Sequence, residues 1–157
     1  MKVIRPAVLD DLHPCVYIAD VFHNGSQFSG VTTFIYEDAY EYALHCLNNS
    51  KKLFLVCEQD NKVISFFIAG HHHVPWNKDE LISEEELFFI LPSYKSPRIA
   101  LRFFKEWESW CNDKNVRLML FNPTSFVDDD LHRWDSFCNA LGFQEGGKSY
   151  KKVLKRC

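Results

Sequence analysis

Several features that mark specialised classes of protein are absent from this 157-residue sequence. No apolar run approaches the ~20 residues of a transmembrane helix, and the N-terminal segment lacks the apolar core of a signal peptide. The six cysteines show no CxxC spacing, so we expect buried free thiols and no disulfide framework. The formal net charge of −3 indicates neither a nucleic-acid nor a membrane surface. Together these absences predict a cytoplasmic protein.

The length and composition fit one globular domain over residues 1–157. Hydrophobic residues make up 46% and charged residues 25% of the chain, which is ordinary for a soluble protein. The aromatic share of 15%, with 14 phenylalanines, predicts a bulky core or an aromatic-lined groove. We find no internal repeat and no low-complexity segment.

The most informative stretch runs from residue 84 to residue 111. Its apolar run Leu87–Leu91 has the length of a strand, and Ser96 followed by Pro97 is a favoured helix start. A strand that leads into a helix N-terminus can bind an anion, and Lys95 and Arg98 add positive charge there. The helix that follows has one apolar face at three- and four-residue spacing, consisting of Ile99, Ala100, Phe103, Phe104, Trp107, Trp110 and Cys111.

The rest of the chain predicts an α/β fold in the order β-α-α-β-β-β-α-β-α-β-β. The predicted strands are residues 3–5, 52–58, 63–71, 87–91, 116–121, 143–144 and 150–154. The predicted helices are residues 12–22, 37–47, the helix after Ser96, and one from Asp129 or Asp130 to Gly142. A hairpin followed by a β-α-β-α-β run favours a mixed, mostly antiparallel central sheet with helices on both faces.

This order and its motifs resemble the GCN5-related N-acetyltransferase (GNAT) superfamily over nearly the whole chain. The similar segments are Val3–Ala7 with Asp10–Leu12, Phe89–Lys95, and Leu141–Phe143 followed by Gly147 and Tyr150. The resemblance implies transfer of an acetyl group from acetyl-CoA to an amine of a small molecule or a protein. It also implies that the fourth strand splays from its neighbour to admit the pantetheine. A homodimer is common in this superfamily.

The family's acyl-CoA loop pattern, Gln/Arg-x-x-Gly-x-Gly/Ala, falls on Lys95-x-x-Arg98-x-Ala100. Arg98 replaces the glycine that lets the backbone approach the pyrophosphate, and Pro97 removes one N–H group. Either Arg98 binds phosphate through its guanidinium, or binding of coenzyme A is weakened or lost. The residues that the resemblance implies for cofactor binding are Ile90, Leu91, Lys95, Ser96, Arg98, Ile99 and Ala100.

The resemblance also implies a general base at the start of the fourth strand and a thiolate acid in the last helix. Of Glu84, Glu85 and Glu86, we predict Glu85 as the base. Strict alternation would place it on one face with Leu87 and Phe89, and Glu86 on the other face with Phe88. The family's usual acid is a tyrosine, and its position here is Cys138, either a proton donor or a small core residue.

His71, His72 and His73 follow one another on a predicted strand. Consecutive strand residues point to opposite faces, so the three cannot bind one ion, and we predict no metal site. His72 and His73, with Trp76, are predicted instead to line the acceptor pocket; a polar strand end is the alternative.

Two other classes of function remain open from the sequence. One is a non-catalytic GNAT-fold protein that serves as an interaction or ligand-binding module. The other is a nucleotide- or phosphate-binding protein that uses the same strand-loop-helix anion site.

Overall fold

The computed structural model describes residues 1–122, 131–147 and 150–154. Its strands are β1 (Lys2–Pro6), β2 (Lys52–Gln59), β3 (Lys62–Val74), β4 (Asn77–Ile90) and β5 (Val116–Leu120). Its helices are α1 (Leu12–Gly25), α2 (Tyr36–Leu47), α3 (Pro97–Asp113) and α4 (Leu131–Ala140). Short 3₁₀ turns occupy Leu9–Asp11, Gln27–Gly30 and Pro92–Tyr94.

The five strands form one sheet in the order β1-β2-β3-β4-β5. Strands β1 to β4 are antiparallel to their neighbours, whereas β5 is parallel to β4. The β2–β3 turn has two residues, Asp60 and Asn61, both in the left-handed region with φ of 53° and 60°. Aspartate and asparagine tolerate this conformation, which matches the twist of a hairpin. The mixed, mostly antiparallel sheet is therefore confirmed.

Helices cover both faces of the sheet, as the fold prediction requires. One core cluster joins α1 and α2 to the sheet through residues such as Leu12, Val16 and Cys46. The other joins α3 through Phe103, Phe104 and Trp107, which are at most 2% exposed. The predicted apolar face of α3 is buried, except that Trp110 is only partly buried, because its period of 3.6 residues keeps it against the sheet.

Strand β4 begins ten residues earlier than the sequence predicted, at Asn77 instead of Leu87. Its first half is polar, but the backbone of this half pairs with β3, for example at His72↔Ile82. Because ladder hydrogen bonds use backbone groups, a polar segment can extend a strand without an apolar run.

The two closing strands predicted at residues 143–144 and 150–154 are not formed by the described part of the C-terminal region. Tyr150, Val153 and Leu154 are 61–90% exposed, so this segment buries no apolar face against the sheet. Helix α4 ends as predicted before Gly142, whose φ is +83°. Its predicted caps, Asp129 and Asp130, lie outside the described residues.

Candidate active site

A cavity of about 270 Å³ lies where β4 leads into α3. Its walls come from the end of β4, the first turn of α3, the last turns of α1, and α4. Five of the seven residues predicted for cofactor binding line it: Ile90, Leu91, Lys95, Ser96 and Ala100. Arg98 is exposed outside this lining, and Ile99 is 2% exposed in the core. The cavity combines an apolar floor with a lysine beside a helix N-terminus.

The helix start at this cavity has the predicted geometry. Ser96 is extended, with φ −155° and ψ 125°, and Pro97 is the first helical residue. The amides of Ile99 and Ala100 both point to the Ser96 carbonyl oxygen, at 3.1 and 3.4 Å. Within the described ranges, no backbone carbonyl accepts from the amides of Ser96 or Arg98. Two N–H groups at the positive end of the helix dipole therefore remain without a backbone acceptor.

The pairing of β4 with β5 ends beside this cavity. Their parallel pairing runs from Leu81↔Val116 to Glu84↔Leu120 and goes no further in the described part of β5. Residues 85–90 of β4 therefore extend past the end of the pairing. This part of β4 therefore has an edge without a partner in the described residues, and the splaying that the resemblance implies stays a prediction.

A β-bulge lies at Glu86. Ile68 pairs with Leu87 and the next residue, Ala69, pairs with Glu85, so Glu86 is the extra residue on β4. Ser83 accepts a hydrogen bond of 2.8 Å from Trp107 of α3, and Phe88 also contacts the α3 cluster. Without an extra residue, positions 83 and 88 would face opposite sides of the sheet.

The bulge corrects the predicted alternation of the carboxylates. Glu86 lies on the α2 side, where it contacts Tyr42, instead of sharing a face with Phe88. Glu85 pairs with Ala69, a residue of the α3-facing cluster, instead of sharing a face with Leu87. The prediction failed because alternation holds only for an unbroken ladder.

Both carboxylate oxygens of Glu86 are paired with neighbouring side chains. Lys52 of β2 forms an ion pair with its Oε1 atom, and the hydroxyl of Tyr42 donates to Oε2 at 2.6 Å. Burial and the hydrogen bond to Glu86 raise the pKa of Tyr42, so the hydroxyl stays protonated and acts as the donor. No local pattern predicts these partners, because they lie 34 and 44 residues from Glu86 along the chain.

Glu85 is in a different electrostatic environment from its neighbour. Burial, followed by the negative charge of Glu86, raises the pKa of Glu85 from 4.5 to about 7. A carboxyl group with this pKa can accept or release a proton near neutral pH.

Both carboxylates line a second cavity of about 500 Å³. Glu86 does so from the α2 side, whereas Glu85, like Phe88, belongs to the α3-facing side and lines the cavity where β4 extends past its pairing with β5. This cavity lies between the sheet and helices α1 and α2, and it also includes residues of the α1–α2 connection such as Phe34. Phe22, Phe88 and Phe89 line both this cavity and the first one. The two cavities therefore adjoin, with Glu85 on the wall of the second.

Solved acetyltransferase structures share this architecture over nearly their full length. A predicted acetyltransferase from Clostridium acetobutylicum, solved with acetyl-CoA, has a TM-score of 0.74 at 15% identity, covering 97% of this chain and 96% of that one. An aminoglycoside 6'-N-acetyltransferase from Acinetobacter haemolyticus has a TM-score of 0.69 at 16% identity, covering 99% of each chain. A ribosomal-protein-alanine N-acetyltransferase from Brucella melitensis has a TM-score of 0.71 at 12% identity, covering 99% and 100%.

The chain has the GNAT fold. No protein-family model and no curated protein matches the sequence, and at these identities the structural similarity shows the fold alone.

The remaining predicted site residues lie away from the two cavities. His72 and His73 are exposed at the far end of β3, and Trp76 is 84% exposed in the β3–β4 turn. His71 is the inward histidine, and its ring lies 5.2 Å from that of Trp110. None of these four lines either cavity. Their substrate-binding role stays a prediction.

Cys138 is a partly buried residue of α4 and lines neither cavity. Burial and the charge of Asp135 raise the pKa of its thiol, which keeps the thiol protonated.

No group of three or more metal-ligating side chains occurs among the described residues of this GNAT fold. In the same part of the chain, no helix is long and apolar enough to cross a membrane.

Proposed function

We propose that this protein is an N-acetyltransferase that uses acetyl-CoA as donor and an amine as acceptor. The observation that supports this most directly is the pair of adjoining cavities, with an anion-binding turn in the first and Glu85 in the second. Similar structures include one solved with acetyl-CoA, which supports the same donor here.

The first cavity suits the donor. Lys95 and the free amides of Ser96 and Arg98 offer one charge and two N–H groups to a pyrophosphate. The apolar wall formed by Ile90, Leu91 and Phe89 suits the pantetheine arm. Arg98 reaches phosphate only from the exposed side of the turn, as a charged contact at the rim.

Glu85 is the proposed general base. Acetyl transfer forms a C–N bond between the amine and the acetyl carbonyl carbon, breaks the C–S bond, and releases coenzyme A as a thiol. Glu85 accepts the proton that the amine loses, and its pKa of about 7 suits this task at neutral pH. The thiolate gains one proton from solvent or from Cys138, which the sequence left open as either a proton donor or a small core residue and which lines neither cavity.

The proposed compartment is the cytoplasm. Cys15, Cys46, Cys57 and Cys111 are buried free thiols, which suits a reducing environment.

Pro97 and Arg98 favour a second candidate, a GNAT-fold protein that binds a ligand without catalysis. Together they leave the helix start with fewer N–H groups and a bulky side chain where the family has glycine.

Titration calorimetry with acetyl-CoA, followed by a thiol-release assay over a panel of amines, tests both candidates. The enzyme predicts binding and amine-dependent release of coenzyme A. Binding without release for any amine favours the second candidate, and absence of binding at millimolar acetyl-CoA excludes the enzyme.

A further inference from the structure

The second cavity has an unusually aromatic wall for a polar reaction. Seven of the chain's 14 phenylalanines line it, among them Phe22 from α1, Phe34 from the α1–α2 connection and Phe89 from β4. Aliphatic residues such as Val16, Ile68 and Leu87 fill much of the remaining surface. Such a wall stabilises an apolar ligand by removing its surface from water.

The described residues that line this cavity offer very little negative charge to a cationic ligand. Glu85 and Glu86 are the only acidic residues among its described lining, which contains no lysine or arginine. Glu86 is already paired with Lys52 and hydrogen-bonded to Tyr42. One carboxyl group, Glu85, is left to receive an ammonium group.

A ligand with several ammonium groups would not fit this charge distribution. Its additional charges would lie against phenylalanine side chains, and burying an unpaired charge is costly. A ligand with many hydroxyl groups would find few partners there. Besides the two glutamates, the described polar lining consists of His23, Thr32, Tyr42 and Asn122.

We infer that the acceptor is a primary amine with a single positive charge, carried on an aryl or alkyl body that occupies the phenylalanine-lined cavity. This inference rests on the proposed function. The amine group reaches Glu85, which takes its proton, and the apolar body extends between α1, α2 and the sheet. The acceptor therefore differs in chemistry from the aminoglycosides named for several of the similar acetyltransferases, among them the one from Acinetobacter haemolyticus.

Thiol-release kinetics with three probe amines test the inference. We expect 2-phenylethylamine to have a kcat/KM at least ~10-fold above those of spermidine and kanamycin, the range that apolar pocket contacts supply. A preference for spermidine or kanamycin overturns the inference and leaves the proposed function intact. Acetyl-CoA binding without any acetylation of phenylethylamine also overturns it.

Substitutions at Phe34 test whether the phenylalanine-lined cavity causes the preference for phenylethylamine. Phe34→Ser should raise KM for phenylethylamine about 10-fold with little change in kcat or in acetyl-CoA affinity, and Phe34→Leu should restore most of the loss. Tyr17→Ser is the matched control, since Tyr17 is 58% exposed on α1 and lines neither cavity. Equal effects of Phe34→Ser and Tyr17→Ser contradict the inference.

A binding measurement separates the two proposals if the donor does not bind. Phenylethylamine alone should raise the Tm of the wild-type protein, and Phe34→Ser should abolish that shift while the variant still unfolds cooperatively. Amine binding without acetyl-CoA binding refutes the transferase and keeps the amine site. Acetyl-CoA binding and acetylation of other amines, without binding of phenylethylamine, refutes the amine site and keeps the transferase.

Discussion

A Cβ atom on Gly70 would lie 2.7 Å from Oε1 of Glu86 and 2.9 Å from Nζ of Lys52. The absence of a side chain at Gly70 on β3 thus makes room for the ion pair beside the bulge. The same residue's carbonyl oxygen accepts a hydrogen bond of 2.8 Å from Ser83. Gly70 therefore contributes in two ways to the region around Glu85 and Glu86: it leaves room for the ion pair, and its carbonyl pairs with Ser83.

Gly70→Ala should displace the Glu86–Lys52 pair. We expect a loss of about 1–2 kcal/mol in the free energy of unfolding, because the clash involves two flexible side-chain tips that can move aside. Urea denaturation measures this loss. Gly25→Ala is the control, since a Cβ at Gly25 would meet nothing within 4 Å. A loss as small as that of the control would show that the close approach has no energetic consequence.

Glu85 should make the protein less stable as the pH rises. Its pKa is about 7 in the folded state and 4.5 ordinarily, so the folded state binds the proton more tightly. The stabilisation is complete below about pH 4.5 and is lost as the pH rises through about 7. Glu85→Gln should therefore raise the free energy of unfolding by about 1–2 kcal/mol at pH 8, a value reduced for partial exposure.

The comparison of Glu85→Gln with wild type at pH 4 and pH 8 isolates this group. Asp11 acts with the opposite sign at low pH. Burial tends to raise its pKa, but hydrogen bonds from Arg5 and the Val8 amide lower it overall, so its contribution is lost on acidification. Because Asp11 is common to both proteins, it cancels in the difference. A stability difference independent of pH would contradict the raised pKa.

The parts of this site that the sequence predicts are those set by local periodicity. The apolar face of α3 and its start at Ser96 and Pro97 follow from spacing and from backbone preferences within a few residues. The bulge at Glu86 could not be predicted, because strand alternation assumes one residue per ladder position. The roles of Lys52 and Tyr42 depend on contacts between distant elements, for which a single sequence has no code.

If the proposed acetyl transfer holds, Glu86→Gln should lower the pH at which the protein becomes active. The charge of Glu86 is the second cause of the raised pKa of Glu85, after burial, so its removal lowers that pKa but not to 4.5. The acid limb of kcat/KM against pH should shift downward, whereas Glu85→Gln should reduce kcat by ~10²-fold or more. Glu84→Gln, at a residue that lines neither cavity, is the matched control. An upward shift in Glu86→Gln would refute the electrostatic coupling.

Ser83→Ala should destabilise the interface between the sheet and α3. The Ser83 hydroxyl donates to the carbonyl of Gly70 and accepts from the indole N–H of Trp107, each at 2.8 Å and buried. Its removal leaves both groups unpaired, with an expected cost of about 2–3 kcal/mol. Urea denaturation of Ser83→Ala, Trp107→Phe and the double variant measures the coupling. Strictly additive losses would show that the hydrogen bond contributes nothing of its own.

Lys95→Met should weaken acetyl-CoA binding about 5- to 10-fold, because Lys95 lines the first cavity at the start of α3. Lys105→Met removes the same charge at an exposed position of α3 outside the cavity, and calorimetry should find its affinity for acetyl-CoA unchanged.

Arg98→Gly distinguishes the two interpretations of the loop, namely phosphate binding by Arg98 and weakened binding of coenzyme A. If Arg98 is a charged contact at the rim, Arg98→Gly should lose less acetyl-CoA affinity than Lys95→Met. That loss should become smaller at high salt, which screens exposed charges. A gain in affinity would mean instead that Arg98 obstructs the backbone approach that glycine permits.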